Sequence, residues 1–268
     1  MSDTLEKTIK LGLIGDNITR SKSPRLHRTA GKMTGLVVSY DRLIPKDMGL
    51  SFEDTFARAQ ATGFRGINVT YPYKEVAAKM VTIPDRTVAA IRAVNTVVFE
   101  DDGPKGYNTD YSGFKRAYRR VLGQASAGTV CLIGTGGVGK AVAFGLIDLG
   151  ADVLRLVDLD KTKADALADA LRPLAGRTRI ETGTDAVALA KGADGIVNCT
   201  PLGMVGILGT PLPASALAGA KWCFDAVYTP VETRFLRDAA DAGLKIISGY
   251  ELFFGQGIDA WQIFTRQP

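Results

Sequence analysis

The string GTGGVGKA, Gly134 to Ala141, constrains this chain more than any other stretch, because it follows the apolar run TVCLI directly and opens an apolar-periodic helix. A strand that turns through glycines into a helix points unpaired backbone N–H groups and the positive end of the helix dipole at any anion there. Two phosphate-binding loops fit the string. Gly134, Gly136 and Gly139, with Gly137 and Val138 between them, give G-x-G-x-x-G: a tight turn, a close backbone approach to a pyrophosphate, and close helix packing. Gly134 to Lys140 also reads G-x-x-x-x-G-K, a triphosphate loop, but Ala141 stands where a Ser or Thr hydroxyl should bind magnesium. The next strand pattern, DVLRLVD, ends in Asp158, about 20 residues on, where a carboxylate can accept hydrogen bonds from ribose hydroxyls. The dinucleotide reading takes precedence. A triphosphatase and a ligand-free glycine turn are the alternatives.

Short apolar runs alternate with helical patterns along most of the chain, the mark of an α/β fold with parallel strands and crossover helices. Strands are expected near Lys10 to Gly15, Val38 to Ile44, Gly66 to Thr70 and Thr96 to Glu100, with helices starting near Pro24, Ser51 and Pro72. A second series comprises Thr129 to Gly134, Val153 to Asp158, Gly195 to Asn198 and Lys221 to Asp225, with helices over Gly139 to Leu149 and Lys161 to Leu171. The small, polar stretch QASAG (124–128) reads as the entry to a second domain. A length of 268 residues accommodates two such domains.

Composition excludes several classes. No apolar run reaches the roughly 18 residues of a membrane helix, and the charged start MSDTLEKTIK lacks the apolar stretch of a signal peptide, so a cytoplasmic location is expected. The net charge of +5 is scattered, and its densest group, Lys115 to Arg120, is interrupted as on a solvated helix face, which argues against a nucleic-acid partner. Cys131, Cys199 and Cys223 lack metal-ligand spacing and read as reduced core thiols. With a single histidine, His27, a His triad or His metal cluster is unexpected, and no metal is required.

Polar groups gather beside predicted strand ends in the first half, where open α/β sheets place ligands. SKSPRLH, Ser21 to His27, sets two hydroxyls just before a helix that Pro24 can open. Ser23 reads either as an ordinary N-cap or as an anion contact. NVTYPYK sets Asn68 and Thr70 at a strand end and Lys74 in a first helical turn, where its charge opposes the helix dipole. AVNT and GYNTD add Asn95 and Asp110.

In order along the chain, SKSP, NVTYPYK, AVNT, GYNTD, GTGGVGKA, NCTPLGM, DAVYTPVET and SGYELFFGQG resemble the shikimate and quinate dehydrogenase family. The resemblance implies a substrate domain over 1–112, completed by about 246–268, and a Rossmann NAD-binding domain over 113–245, with a C-terminal helix returning to the first domain. It implies that Ser21 and Ser23 hold a carboxylate, that Asn68, Thr70, Asn95, Tyr228 and Gln256 bind the substrate, and that Lys74 and Asp110 stand at the reacting hydroxyl. On the cofactor side it implies Thr200, Pro201, Leu202 and Met204 of NCTPLGM, Val227 and Gly249, beside the glycine loop and Asp158. The implied activity is NAD-dependent oxidation of shikimate, and also of quinate, by a monomer or homodimer. Three places depart from the pattern: Arg28 where Asn is frequent, Leu252 where Met is usual, and VDLDKTK, which lacks the arginine-bearing signature of NADP-using members. Arg28 reads either as a contact to the anion or, in preference, as a surface residue that covers the helix. The rivals are a dinucleotide-sensing module without turnover and a P-loop nucleotide hydrolase.

Overall fold

The computed structural model describes residues 8–267. The charged start read above lies, for residues 1–7, outside the described residues. The chain divides into two compact units, one comprising residues 1–109 and 257–268 and the other residues 110–256.

The first unit begins β1 (Ile9–Ile14), α1 (Ser23–Thr34), β2 (Val38–Leu43), α2 (Pro45–Met48), α3 (Phe52–Ala61) and β3 (Gly66–Val69). It continues α4 (Lys74–Ala78), α5 (Arg86–Ile91), β4 (Thr96–Glu100) and β5 (Gly103–Tyr107). Its sheet has the order β2-β1-β3-β4-β5. The β1 pairings are parallel, as the α/β reading expects. The β3–β4 and β4–β5 pairings are antiparallel, which the expectation of parallel strands nearly from end to end did not contain. For β4–β5 the cause is local: only Asp101 and Asp102 separate the two strands, room for a hairpin but not for a crossover helix. Leu11 and Leu13 pack into one apolar cluster with Tyr40, Trp261 and Phe264, while Ile14 joins Phe52, Phe56 and Ile67 in another. This is the alternation of a strand whose two faces are both covered.

The second unit contains α6 (Thr109–Leu122) from its second residue, then β6 (Thr129–Ile133), α7 (Gly137–Asp148), β7 (Val153–Val157), α8 (Lys161–Leu171) and β8 (Arg179–Gly183). It continues with α9 (Ala186–Ala190), β9 (Gly195–Asn198), β10 (Trp222–Asp225), α10 (Arg234–Asp241), β11 (Lys245–Ile247) and the first half of α11 (Gly249–Thr265). Its six strands pair in parallel in the order β11-β10-β9-β6-β7-β8, a doubly wound sheet whose strand order reverses beside β6. On α6 the apolar Phe114, Ala117 and Tyr118 are buried and Arg116, Arg119 and Arg120 are exposed, so the basic run is a solvated face.

The units part inside α6 and α11, three residues before the expected 112 and about ten residues beyond the expected return at 246. Side-chain contacts explain both offsets. Thr109 is held by Asn95 of the first unit. A Cβ at Gly249 would press on the Ala226 and Val227 backbone, and one at Gly113 on Gln256, so the first half of α11 packs in the second unit. A Cβ at Gly257 would meet Leu26 of the first unit instead. No helix among the described residues is long and apolar enough to cross a membrane.

Candidate active site

In the first unit the candidate side chains stand at the carboxyl ends of β1 and β3 and the start of β4. Lys22, not Ser23, holds the N-cap position of α1, and no side chain caps it. Ser21 takes that work: its Oγ accepts the Ser23 backbone N–H at 3.2 Å and donates to Ser23 Oγ at 3.1 Å. The two hydroxyls therefore form a preset pair at the start of α1, with Pro24 following. Arg42 on β2 donates to the Ser21 carbonyl at 2.9 Å and fixes the turn from the side. Arg28 is exposed and donates to the Tyr40 carbonyl at 3.0 Å, so it braces α1 against β2.

Thr70 follows β3, its N–H donating to the Ile14 carbonyl and its own carbonyl accepting from Tyr73. The half-buried Lys74 opens the five-residue α4, and its carbonyl accepts the Val94 N–H at 2.9 Å. Asn95 is therefore tied through its neighbour to the lysine's backbone. The Asn95 carboxamide oxygen accepts from the Thr109 N–H at 2.8 Å and from the Thr109 and Thr96 hydroxyls, and its amide donates to Thr109 Oγ1 at 3.0 Å. One amide hydrogen of Asn95 is left over by this set of bonds. Tyr73 donates to Asp16 at 2.6 Å, an arrangement that with burial pushes the phenol up to about 12 and straps the Lys74 loop to the β1–α1 turn.

In the second unit the glycine loop has the shape that its spacing requires. Gly134 sits at φ 94°, and a Cβ there would strike the Cys199 backbone at 2.8 Å. A Cβ at Gly139 would collide with the Gly134 carbonyl, whereas one at Gly136 would meet nothing within 4 Å. The first and third glycines thus serve turn and packing, and the second leaves the approach to the α7 N-terminus open. No acid stands in the first turn of α7. These features fit a pyrophosphate.

Asp158, at the end of β7, is the acid expected beside that loop. Its Oδ2 accepts from the Thr135 N–H at 2.9 Å and the Thr135 hydroxyl at 2.8 Å, and its Oδ1 from the Asp160 N–H at 3.1 Å. Burial opposes its charge, but these bonds and the Lys163 charge hold the carboxyl below its ordinary value. Leu159 beside it is 96 % exposed. Lys161 pairs with Asp165 at 2.8 Å, and Lys163 stands 4.0 Å from Asp160, so both lysines face acids of their own neighbourhood.

The residues of NCTPLGM and DAVYTPVET are joined by Asp225, which the motif reading did not single out. This fully buried carboxylate accepts from Asn198 at 2.9 Å, the Val227 N–H at 3.0 Å and the Thr233 hydroxyl at 2.5 Å. Burial raises its pKa against those three bonds. Asn198 in turn accepts from the Thr200 N–H and hydroxyl, and Thr200 from the Leu202 N–H. One carboxylate therefore sets the loop of Thr200, Pro201, Leu202 and Met204 and the loop of Val227 and Tyr228. An acid ending an apolar strand was the available signal, the same one that exposed Asp158. Tyr228 stacks on Phe253 of α11 at 5.0 Å. Gln256 lies on that helix against Gly113 of α6, whose first turn carries the buried Asp110. Tyr228, Gln256 and Asp110 are thus drawn to adjoining elements of the second unit, as is Gly249 at the start of α11.

Cys131 and Cys223 are buried, their thiols pushed up to about 12 by desolvation, and all three cysteines are unbridged. No group of three or more His, Cys, Asp or Glu among the described residues is arranged to hold a metal.

Residues 13–97 match the family described as shikimate dehydrogenase substrate binding domain. A quinate/shikimate dehydrogenase (NAD(+)) of Corynebacterium efficiens is 38% identical over 265 residues, covering 96% of this chain and 93% of the relative. A shikimate dehydrogenase (NADP(+)) of Haloarcula marismortui is 40% identical over 258 residues, 96% and 93% of the two chains. The structure of quinate dehydrogenase from Corynebacterium glutamicum in complex with NAD superposes with a TM-score of 0.89 at 34% identity, covering 97% of this chain and 94% of that one. With this fold, these strand-end groups and relatives over nearly the whole length, the chain belongs to the shikimate/quinate dehydrogenase family.

Proposed function

We propose that this chain is a cytoplasmic, NAD-dependent dehydrogenase, monomeric or homodimeric, that reversibly oxidises shikimate to 3-dehydroshikimate and also quinate to 3-dehydroquinate. Residues 1–112 and about 246–268 form the substrate side in this reading, and residues 113–245 the cofactor side. The observation that carries it is the preset Ser21–Ser23 hydroxyl pair on the same unit as Lys74 and Asn95, in a chain whose other unit holds a dinucleotide cradle. The Ser23 hydroxyl, whose hydrogen that pair leaves unused, suits a ring carboxylate, and the spare amide hydrogen of Asn95 suits a ring hydroxyl.

The bound nicotinamide supplies the hydride acceptor. Lys74 takes the alcohol proton in oxidation and returns it in reduction, while Asp110 orients the lysine and shares the hydroxyl. The α7 N-terminus and the open side at Gly136 receive the pyrophosphate. Asp158, already oriented by Thr135, keeps an acceptor position for a ribose hydroxyl and opposes the additional phosphate of NADP. Relatives of both cofactor types occur at similar identity, so the preference for NAD rests on Asp158 and on the lysines paired elsewhere. Purified protein given shikimate or quinate with NAD should form reduced nicotinamide. Absence of turnover with both alcohols, or nucleotide hydrolysis in its place, would overturn the assignment.

A further inference from the structure

Asn68 was expected among the substrate ligands, yet its surroundings account for its whole carboxamide. The residue is 6 % exposed. Its oxygen accepts the Tyr40 hydroxyl at 2.8 Å, and its amide donates to Thr96 Oγ1 at 3.0 Å and to the Asn95 carbonyl at 3.3 Å. A hydrogen bond with the His27 side chain completes the set. Both hydrogens of the carboxamide are thus used, and its oxygen is engaged as well. Because both amide hydrogens are committed, His27 is the donor to the oxygen. Its Nδ1 has no partner among the described residues, so the donating atom is Nε2. The imidazole is 1 % exposed, stacked on Tyr40 at 5.0 Å and edge-on to Phe264 at 5.6 Å. Burial of the ring outweighs its bond to Asn68 and lowers its pKa to about 4, which keeps it neutral and keeps this tautomer.

We propose that His27 and Tyr40 are positioning residues for the dehydrogenase reaction: they lock the Asn68 carboxamide, which acts as a brace between β3 and β4 and not as a substrate ligand. The route from the brace to the chemistry is short. Asn68 and the Val69 N–H share the Asn95 carbonyl as acceptor, Thr96 bonds both Asn68 and Asn95, and Val94 grips the Lys74 carbonyl. If the Asn68 amide rotates, β4 loses its spacing from β3, and the Asn95 amide and the Lys74 backbone shift together. The helix bearing Ser23 enters the same assembly through His27, since positions 23, 27 and 31 of α1 share its buried face.

This inference rests on the function proposed above, and the test separates the two. Wild-type turnover of shikimate with NAD decides the function, and the variants compared with wild type decide the brace; no turnover in wild type rejects both. Tyr40→Phe removes one hydroxyl and keeps the ring on His27. It should lower kcat about tenfold, raise the deuterium isotope effect for shikimate labelled at the reacting carbon, and leave the KM for shikimate and NAD within about twofold. His27→Leu should act likewise, while His27→Gln, whose side-chain amide can donate to Asn68, should recover kcat to within about threefold of wild type. If His27→Leu does not fold, Tyr40→Phe decides alone. Wild-type kcat and isotope effect in Tyr40→Phe, with any change confined to Tm, would overturn the proposal. So would a loss seen only as a raised KM for shikimate, the sign of a ligand that Asn68 touches directly.

Discussion

The two units build their candidate sites from different material. In the second unit the ligand-facing surface is largely backbone: the open side at Gly136, amides at the start of α7, and the Asp158 carboxylate held by an amide and a hydroxyl of Thr135. In the first unit it is side chain on side chain, with Ser21 on Ser23 and Asn95 on Thr109, and the Asn68 brace on Tyr40, His27, Asn95 and Thr96 stands behind it. A cradle made of backbone tolerates change wherever φ and close approach are respected. A cluster of saturated buried amides does not, since removing one partner strands another without water to replace it. Substitutions in the side-chain cluster of the first unit should therefore act on rate, and substitutions at the glycine loop and Asp158 on which cofactor is used.

The largest effect that would sharpen this contrast is at Lys74. Lys74→Ala should lower kcat by at least about 100-fold with little change in substrate affinity, as for a lost general base, and Asp110→Asn should also cost rate. Near-normal turnover by Lys74→Ala would remove the lysine from the mechanism and break the assignment of rate to the first unit.

The buried histidine provides a stability counterpart. The unfolded chain takes up a proton on His27 below about pH 6.5, and the folded chain only below about 4. Its contribution is therefore constant above pH 6.5, and stability falls as the pH drops toward 4, by roughly 3 kcal/mol from this group. Denaturant midpoints for wild type and His27→Gln across that range should converge as the solution is acidified. Parallel curves would show that the imidazole is solvated in the folded chain.

On the cofactor side, Asp158→Ala combined with Leu159→Arg should remove the like-charge repulsion and supply a phosphate partner, moving the kcat/KM ratio toward NADP by at least about tenfold. Turnover through Lys74 should persist with the favoured cofactor. A collapse of kcat with both cofactors would show that the Asp158 region also positions the reacting ring. The smallest effect concerns the carboxylate end: with serine at both 21 and 23, shikimate, flatter there than quinate, should have the higher kcat/KM by a few fold. A clear preference for quinate in the same assay would remove the serine pair as the selective element.

The same contrast explains what could be read from residues alone. The glycine loop and Asp158 were legible because backbone requirements leave fixed spacings: φ 94° at Gly134 and no room at Gly139 admit little but glycine. Strands β3, β4, β6, β7, β9 and β10 were legible as apolar runs. β5 was not, because GPKGY has neither apolar alternation nor β-branched residues, and its Pro104 is tolerable only because the strand is at an edge. The edge strands β8 and β11 escaped for similar reasons, RIETG and KII being short and partly polar. Asn68, Tyr40 and His27 form no pattern in the chain, since their bonds join residues 27 or more positions apart or elements on different strands. The family motifs located Asn68 as a ligand, but only the hydrogen-bond inventory distinguishes its closed carboxamide from that of Asn95, which retains a hydrogen.

The proposed preference for NAD depends on Asp158 of the second unit. The direct measurement is kcat/KM of the wild-type protein with shikimate, determined for NAD and NADP side by side. A carboxylate where the additional phosphate would sit loses a hydrogen bond and meets like charge, so NAD should be preferred by at least about 100-fold, each 1.4 kcal/mol being tenfold. Comparable efficiency with both cofactors would show that Asp158 does not meet the ribose and would contradict the account.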